Sequence, residues 1–219
     1  MTFPSPARQA FSLIELLTVV AIVALLTGLT VPVLRTLGDA RDVGQTVYQI
    51  ADVLRQARAQ AMARNTYVAV GFATQEETTP APPAQDRFVV LSSRISTDGR
   101  RPSDWNSDAA ALNLGKIYRF DRTTLAAVAS SFGGTKQNPD VRLDAISGGS
   151  HFTRRMGGQT VSFSRVVEFG PTGEMRVVGQ SLNRLTELGL ASANRPDDPA
   201  SSAALQIAGL TGTVRVFRP

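Results

Sequence analysis

The hydrophobic and polar positions of the chain divide it into a helical first third and a β-rich remainder. Residues 16–34 carry no charged side chain, and 19 residues of helix span roughly 28 Å, close to the hydrocarbon thickness of a bilayer. Beyond Asp39 the apolar positions recur at three- and four-residue steps, which indicates one helical face: Val43, Val47, Ile50, Leu54, Ala57 and Ala61. The pattern predicts a helix over about residues 11–64, with Asn65 as its C-terminal cap.

From Thr66 onward, short alternating segments separated by Gly- and Pro-containing breaks predict strands. The candidates are TYVAVGF, RFVVLSSRI, KIYRF, TVSFSRVVEFG, EMRVVGQ, ALQIAGL and TVRVFRP. Turns are expected at residues 169–173 and at Thr211-Gly212. The fold class is therefore α+β, with a long helix packed on an antiparallel sheet. Surface loops are expected near 73–86 and 96–115, and Trp105 in the second is expected to be buried.

Glu15 is an acidic residue just inside the uncharged segment. A charged side chain at the centre of a membrane helix costs about 2.5 to 3.5 kcal/mol, and less near its edge, so the carboxylate calls for a partner. If the chain were cut between Ala10 and Phe11, the new α-amino group would lie four residues away, and the amine of an adjacent copy could neutralise Glu15. A cleaved secretory signal and an uncleaved signal anchor are the alternatives. The apolar run is longer than that of a secretory signal, and no small-x-small site follows it.

The string RQAFSLIELLTVVAIVALL resembles the N-terminal signal of type IV pilins and type II secretion pseudopilins. The resemblance implies that a prepilin peptidase cuts after Ala10, where the family usually has Gly, and methylates the amine of Phe11. It assigns Glu15 to registry and assembly. Gly28 and Pro32 also fit the family, because Pro removes a backbone donor where such helices bend.

The stretch LRQARAQAMARNTYVAVGF resembles the helix end and first strand of minor pseudopilins of the GspH/FimT type. It is closer still to the pilin-like group called Verru_Chthon cassette protein D, in which similar NTYV-VGF and terminal TG-VRV-RP strings occur. The resemblance implies a leader over 1–10, a transmembrane or filament-core helix over 11–37, an amphipathic continuation over 38–64 and a globular β-rich head over 65–219.

Composition narrows the chemistry of the head. The chain has no Cys and one His, His151, which together cannot build a usual zinc site, and no GxSxG nucleophile elbow or phosphate loop is present. We therefore predict no catalytic residue, metal or cofactor. The net charge of +5 gives little support to nucleic-acid binding, although Arg154 and Arg155 could contact a polyanion.

These features rank three hypotheses about function. The first is a minor pilin or pseudopilin, anchored once in a bacterial inner membrane with its head in the periplasm or in an envelope or extracellular filament. Its expected partners are a prepilin peptidase, other pilin subunits and an inner-membrane assembly platform. The second is a DNA-uptake or adhesive minor pilin that binds a polyanion through exposed arginines. The third is an envelope enzyme on a plain signal anchor.

Overall fold

The structure is a computed structural model that describes residues 13–83, 86–128, 136–146 and 148–219; within the helix, the side chains of residues 27–42 are left out of the description. The chain divides into two units, residues 1–38 and residues 39–219. One helix, α1 (Leu13–Ala63), runs through the division. The strands all belong to the second unit.

The described residues form thirteen strands and three single-turn 3-10 helices, at Gln75–Glu77, Leu143–Ala145 and Pro199–Ser201. The strands are β1 (Val68–Thr74), β2 (Thr78–Thr79), β3 (Phe88–Ser96), β4 (Ala111–Asp121), β5 (Thr123–Leu125), β6 (Val141–Arg142), β7 (Phe152–Met156), β8 (Gln159–Phe163), β9 (Arg165–Phe169), β10 (Met175–Val177), β11 (Leu185–Ser192), β12 (Ser202–Ala208) and β13 (Val214–Phe217).

The strands pair into three sheets. The first is antiparallel with the order β10-β9-β1-β3-β4; the second has the order β13-β12-β11-β5, and the short β6 runs parallel to β11; the third has the order β2-β8-β7. The α+β class is confirmed, because a helix is followed by mainly antiparallel sheets. The sequence predicted a single antiparallel sheet, whereas the structure has three. The local pattern of apolar and polar residues does not determine which distant strands pair.

The head has two main cores, one on each face of the first sheet. One face, with Val70, Leu91 and Phe169, shares a core with the buried face of α1 and with Leu188 and Leu205 of the second sheet. The other face packs against the third sheet, where the rings of Phe152 and Phe163 stack at 4.7 Å between centroids. Ser164 separates β8 from β9, so the predicted strand TVSFSRVVEFG is two strands in two different sheets.

The C-terminal end of α1 has the predicted cap. Asn65 adopts a left-handed φ of 50°, and its N–H donates to the carbonyl of Met62 at 3.3 Å. The N–H of Thr66 donates to the carbonyl of Ala61 at 3.0 Å. These two bonds form a Schellman motif, which satisfies carbonyls that the helix leaves open and turns the chain into β1.

Both segments predicted as surface loops contain strand residues, and the first also contains packed polar side chains. Residues 111–115 of the second loop belong to the edge strand β4, whose polar Asn113 and Lys116 face solvent and so disguise the strand. In the first, Thr78 is buried in β2 and the Glu77 carboxylate lies 2.7 Å from the Arg165 guanidinium. A polar segment can pack in this way because its charges find partners across the fold.

Candidate functional site

The first part of α1 presents an apolar surface on all sides. Every described side chain in residues 13–26 is exposed, and the large apolar ones are between 54% and 82% exposed: Leu13, Ile14, Leu16, Leu17, Val19, Val20, Ile22, Val23, Leu25 and Leu26. A helix that is apolar around its whole circumference is stable when lipid or other protein surrounds it. This segment therefore has the surface of a helix that lipid or other protein covers.

Glu15 is the acidic residue of the first helical turn of α1. The partial positive charge at a helix N-terminus favours a carboxylate there. One turn further, the Thr18 hydroxyl donates to the carbonyls of Ile14, at 2.5 Å, and Glu15, at 3.3 Å, so its polarity is satisfied within the helix. Glu15 is thus the carboxylate among exposed aliphatic neighbours in residues 13–26.

The structure describes only some of the other N-terminal residues for which the sequence predicted a role. Ala10 and Phe11, at the expected cleavage point, lie outside the described residues. Gly28 and Pro32 fall within α1, with side chains outside the description, so a bend at these positions stays a prediction. Among the described residues, no helix combines the length and apolar character needed to cross a membrane.

Arg154 and Arg155, the predicted polyanion contacts, do not form one surface. Successive side chains of a strand point to opposite faces, and in β7 Arg155 is exposed whereas Arg154 is half-buried. The Arg154 guanidinium donates to the Ser92 hydroxyl at 2.8 Å. Burial, and then the nearby charge of Arg94, lower the pKa of Arg154. The role of the pair as a joint contact stays a prediction, and the strand geometry gives it no support.

The segment between β3 and β4 packs on the head through ion pairs and a hydrogen bond. Trp105 is buried, as predicted, and its indole N–H donates to the Glu168 carboxylate at 3.3 Å. Arg101 forms an ion pair with the same carboxylate, and buried Arg94 pairs with Asp108 at 2.7 Å. Burial raises the pKa of Glu168, and the charge of Arg101 opposes that rise. The sequence analysis missed Glu168, although an acid inside the apolar strand RVVEF was a usable signal.

The His, Asp and Glu residues in the described part of the head are scattered. No group of three or more His, Asp or Glu residues in the described part of the chain could hold a metal ion. His151 is half-buried, and its pKa is lowered because burial disfavours the charged imidazolium. It lies in the segment before β7.

Comparison with known proteins adds one match. Residues 5–31 match the family described as the prokaryotic N-terminal methylation motif. The match covers Ala10, Phe11, Glu15 and Gly28 together with the exposed apolar part of α1 up to residue 26. No curated protein and no solved structure matches the chain. The motif supports a type IV pilin-like or pseudopilin-like protein, with prepilin-type cleavage and methylation, in a pilus or type II secretion filament.

Proposed function

We propose that the chain is a minor pseudopilin or minor pilin that joins an envelope filament after a prepilin peptidase removes residues 1–10. The observation that carries the proposal is the methylation motif over residues 5–31, which coincides with an exposed apolar helix bearing one carboxylate at Glu15. Its role is structural rather than enzymatic. The segment of residues 11–37 holds the subunit in the inner membrane until other subunits surround it.

Neutralisation of Glu15 explains why cleavage and assembly depend on each other. Before cleavage, the chain has no amine near position 11; afterwards, the α-amino group of Phe11 lies one helical turn from Glu15. A neighbouring subunit displaced along the filament axis brings its own amine to this carboxylate. In apolar surroundings a well-placed ion pair favours one register strongly, because any other register leaves a buried charge without compensation.

The head supports a minor rather than a shaft-forming role. The GspH/FimT-like junction LRQARAQAMARNTYVAVGF corresponds to the Schellman-capped end of α1 and to β1, the two elements that start the head. The head also carries three sheets and a loop between β3 and β4 that the Arg101–Glu168 ion pair anchors. These elements supply surfaces for contacts with other subunits and with the assembly platform. The machine that uses this subunit is a type II secretion system or a type IV pilus.

The proposal is tested first by the mature N-terminus. We expect mass spectrometry of the protein from the membrane fraction to find N-methylated Phe11 as the first residue. Expression in a strain lacking prepilin peptidase should leave residues 1–10 in place. Recovery of the protein with Met1 intact in a strain that has the peptidase, and with filaments still formed, would contradict the proposal.

A second experiment tests the role of Glu15. The Glu15→Gln variant removes one negative charge from the helix, whereas Glu76→Gln removes one from an exposed position in the head. We expect Glu15→Gln to stay in the membrane but to fall at least tenfold in sheared filaments, because leaving a buried amine without its partner costs about 3 to 5 kcal/mol. Glu76→Gln should assemble normally. Equal incorporation of both variants would remove Glu15 from the assembly mechanism.

A further inference from the structure

The outer face of the second sheet carries a row of polar residues in register. Arg142, Glu187, Gln206 and Arg215 are direct partners across β6, β11, β12 and β13, so they share one face. This face is opposite the one that joins α1 in the core, because the adjacent pair Leu188 and Leu205 belongs to that core. The second sheet therefore carries polar side chains on its far side, where Glu187 and Gln206 are buried and Arg215 is exposed.

Most charges in this row are compensated by neighbours. The carboxylate of Glu187 is buried and lies 3.2 Å from the ammonium of buried Lys136, and it also accepts a hydrogen bond from Gln206 at 2.9 Å. Arg142 pairs with Asp144 at 2.8 Å. Arg215, at the end of the row, is exposed and has no hydrogen-bond or ion-pair partner within the described ranges. The row thus ends in an uncompensated cation.

A cavity of about 410 Å³ opens beside Arg215 at the β12–β13 hairpin. Arg184 lines it as well, and its contact with Asp140 is long, 3.6 Å between Nη2 and Oδ1. The other oxygen of Asp140 accepts the backbone N–H groups of Arg184 and Leu185 at 2.7 and 3.1 Å. Asp140 therefore fixes the backbone at the cavity rim. The same Nη2 atom of Arg184 donates to the carbonyl of Asn138 at 3.5 Å, so both contacts of this guanidinium within the described ranges are long and use one nitrogen, which leaves its other N–H groups for a ligand.

The remaining wall of the cavity combines hydroxyl and apolar groups. The Thr213 hydroxyl accepts a hydrogen bond from Thr211 at 2.9 Å and keeps its own proton for a ligand. Leu185 and Ala208 supply an apolar patch. Two guanidinium groups, a free hydroxyl donor and a small apolar patch form a site suited to an oxyanion attached to a hydroxylated body.

We propose that this cavity binds an anionic carbohydrate unit, with Arg184 and Arg215 holding its carboxylate or phosphate group. The volume lies in the lower part of the range of small-molecule sites, so it accommodates one sugar-sized unit. The guanidinium forks recognise the oxyanion through paired hydrogen bonds. The inference stands on the head alone and does not require the proposed function.

Calorimetric titration of the full chain in detergent tests the site with three probes: glucuronate, glucose 6-phosphate and glucose. We expect saturable binding of one or both anions and none of glucose, at constant ionic strength. The anion that binds more tightly identifies the carboxylate or the phosphate as the group recognised. Glucose binding as tightly as the anions, or no saturable binding of either anion, would overturn the proposal.

Matched variants assign the binding to this cavity. Arg215→Gln should weaken anion binding about tenfold or more, since hydrogen bonds between two charged groups are stronger than those between neutral ones. Arg155→Gln removes the same charge from an exposed position on β7 and should bind normally. Thr213→Glu should block the site by placing a competing carboxylate beside the two arginines. Equal affinity of Arg215→Gln and Arg155→Gln would overturn the proposal, and unchanged thermal unfolding of both variants shows that the fold is intact.

Discussion

The two parts of α1 differ in whether their apolar side chains are buried by the rest of the chain. Residues 13–26 are apolar and exposed all round, whereas residues 43–61 bury one face and expose polar side chains such as Gln49 and Asp52 on the other. The second part finds its cover within the chain, in the core shared by α1 and two sheets. The first part is exposed, and an apolar helix surface of this kind is stable where lipid or other protein surrounds it. A single helix thus stabilises the fold at one end and is available for assembly at the other.

The same contrast applies to the two carboxylates of these regions. Glu168 is buried in the head and has Arg101 and Trp105 of its own chain as partners. Glu15 is exposed on the helix, and its proposed partner is the amine of another subunit. Glu168 thus pairs within the head, whereas the proposed function assigns Glu15 a contact between subunits.

The largest effect on the free energy of unfolding is expected when one leucine in each part of α1 is replaced by alanine. Leu54→Ala should lower the free energy of unfolding of the head by about 2 to 5 kcal/mol, because Leu54 is fully buried and its removal leaves a cavity. Leu17→Ala, at an exposed position, should change it by less than about 0.5 kcal/mol. Urea unfolding followed by the fluorescence of buried Trp105 measures both. A similar loss for both variants would mean that the first part of α1 also supports the head.

The next effect concerns the buried carboxylate of the head. Burial raises the pKa of Glu168 above 4.5, so in the pH range just above 4.5 the folded state keeps a proton that the unfolded state releases. The free energy of unfolding should therefore fall as the pH rises through this range, by at most about 1.4 kcal/mol per pH unit for one proton. Glu168→Gln, which cannot titrate, should lack this component.

The difference between wild type and Glu168→Gln isolates the effect of this one group. The lowered pKa of His151 gives an opposite slope below pH 6.5, because the unfolded state then binds the extra proton. That slope is present in both proteins and cancels in the difference. Parallel curves for the two proteins between pH 4.5 and 6.5 would show that Glu168 titrates normally.

The smallest effect concerns the junction where α1 passes into the head. Asn65→Ala should lower the free energy of unfolding by about 1 kcal/mol, because Ala lacks the short polar side chain with which Asn tolerates the left-handed φ of 50°. Asn65→Gly, which adopts this conformation without strain, should remain within about 0.5 kcal/mol of wild type. Urea titration of the three proteins distinguishes them. Equal losses for Ala and Gly would mean that the Asn65 side chain, and not its backbone conformation, maintains the cap.

The helix could be predicted in detail because its signals are local. All six apolar positions of the predicted helical face, from Val43 to Ala61, are buried, and Asn65 occupies the predicted cap. Several strands were identified for the same reason, including β1, β3 and the last hairpin, β12–β13. Each has apolar alternation or a turn signal within a few residues.

Other parts of the head depend on partners far away in the chain. β11 was missed because Glu187 and Gly189 interrupt its apolar pattern, and the partners of the buried Glu187 carboxylate, Lys136 and Gln206, lie far away in the chain. β7 was missed because two arginines lie at its centre. The link between Trp105 and Glu168 spans 63 residues. No local pattern could reveal these pairings, and the cavity at Arg184 and Arg215 depends on them.

The closure of β13 against α1 sets an order for the biogenesis of this protein. The Arg218 guanidinium, directly after β13, lies so close to Gly44 that a Cβ there would come within 2.7 Å of Nη2, and Val214 belongs to the core that includes Val43. About 170 residues separate these partners, and such distant contacts form late in folding. The ribosome therefore synthesises the exposed apolar part of the helix long before β13, the strand that completes the head. Throughout that interval the apolar surface of the helix is stable only where lipid or other protein covers it.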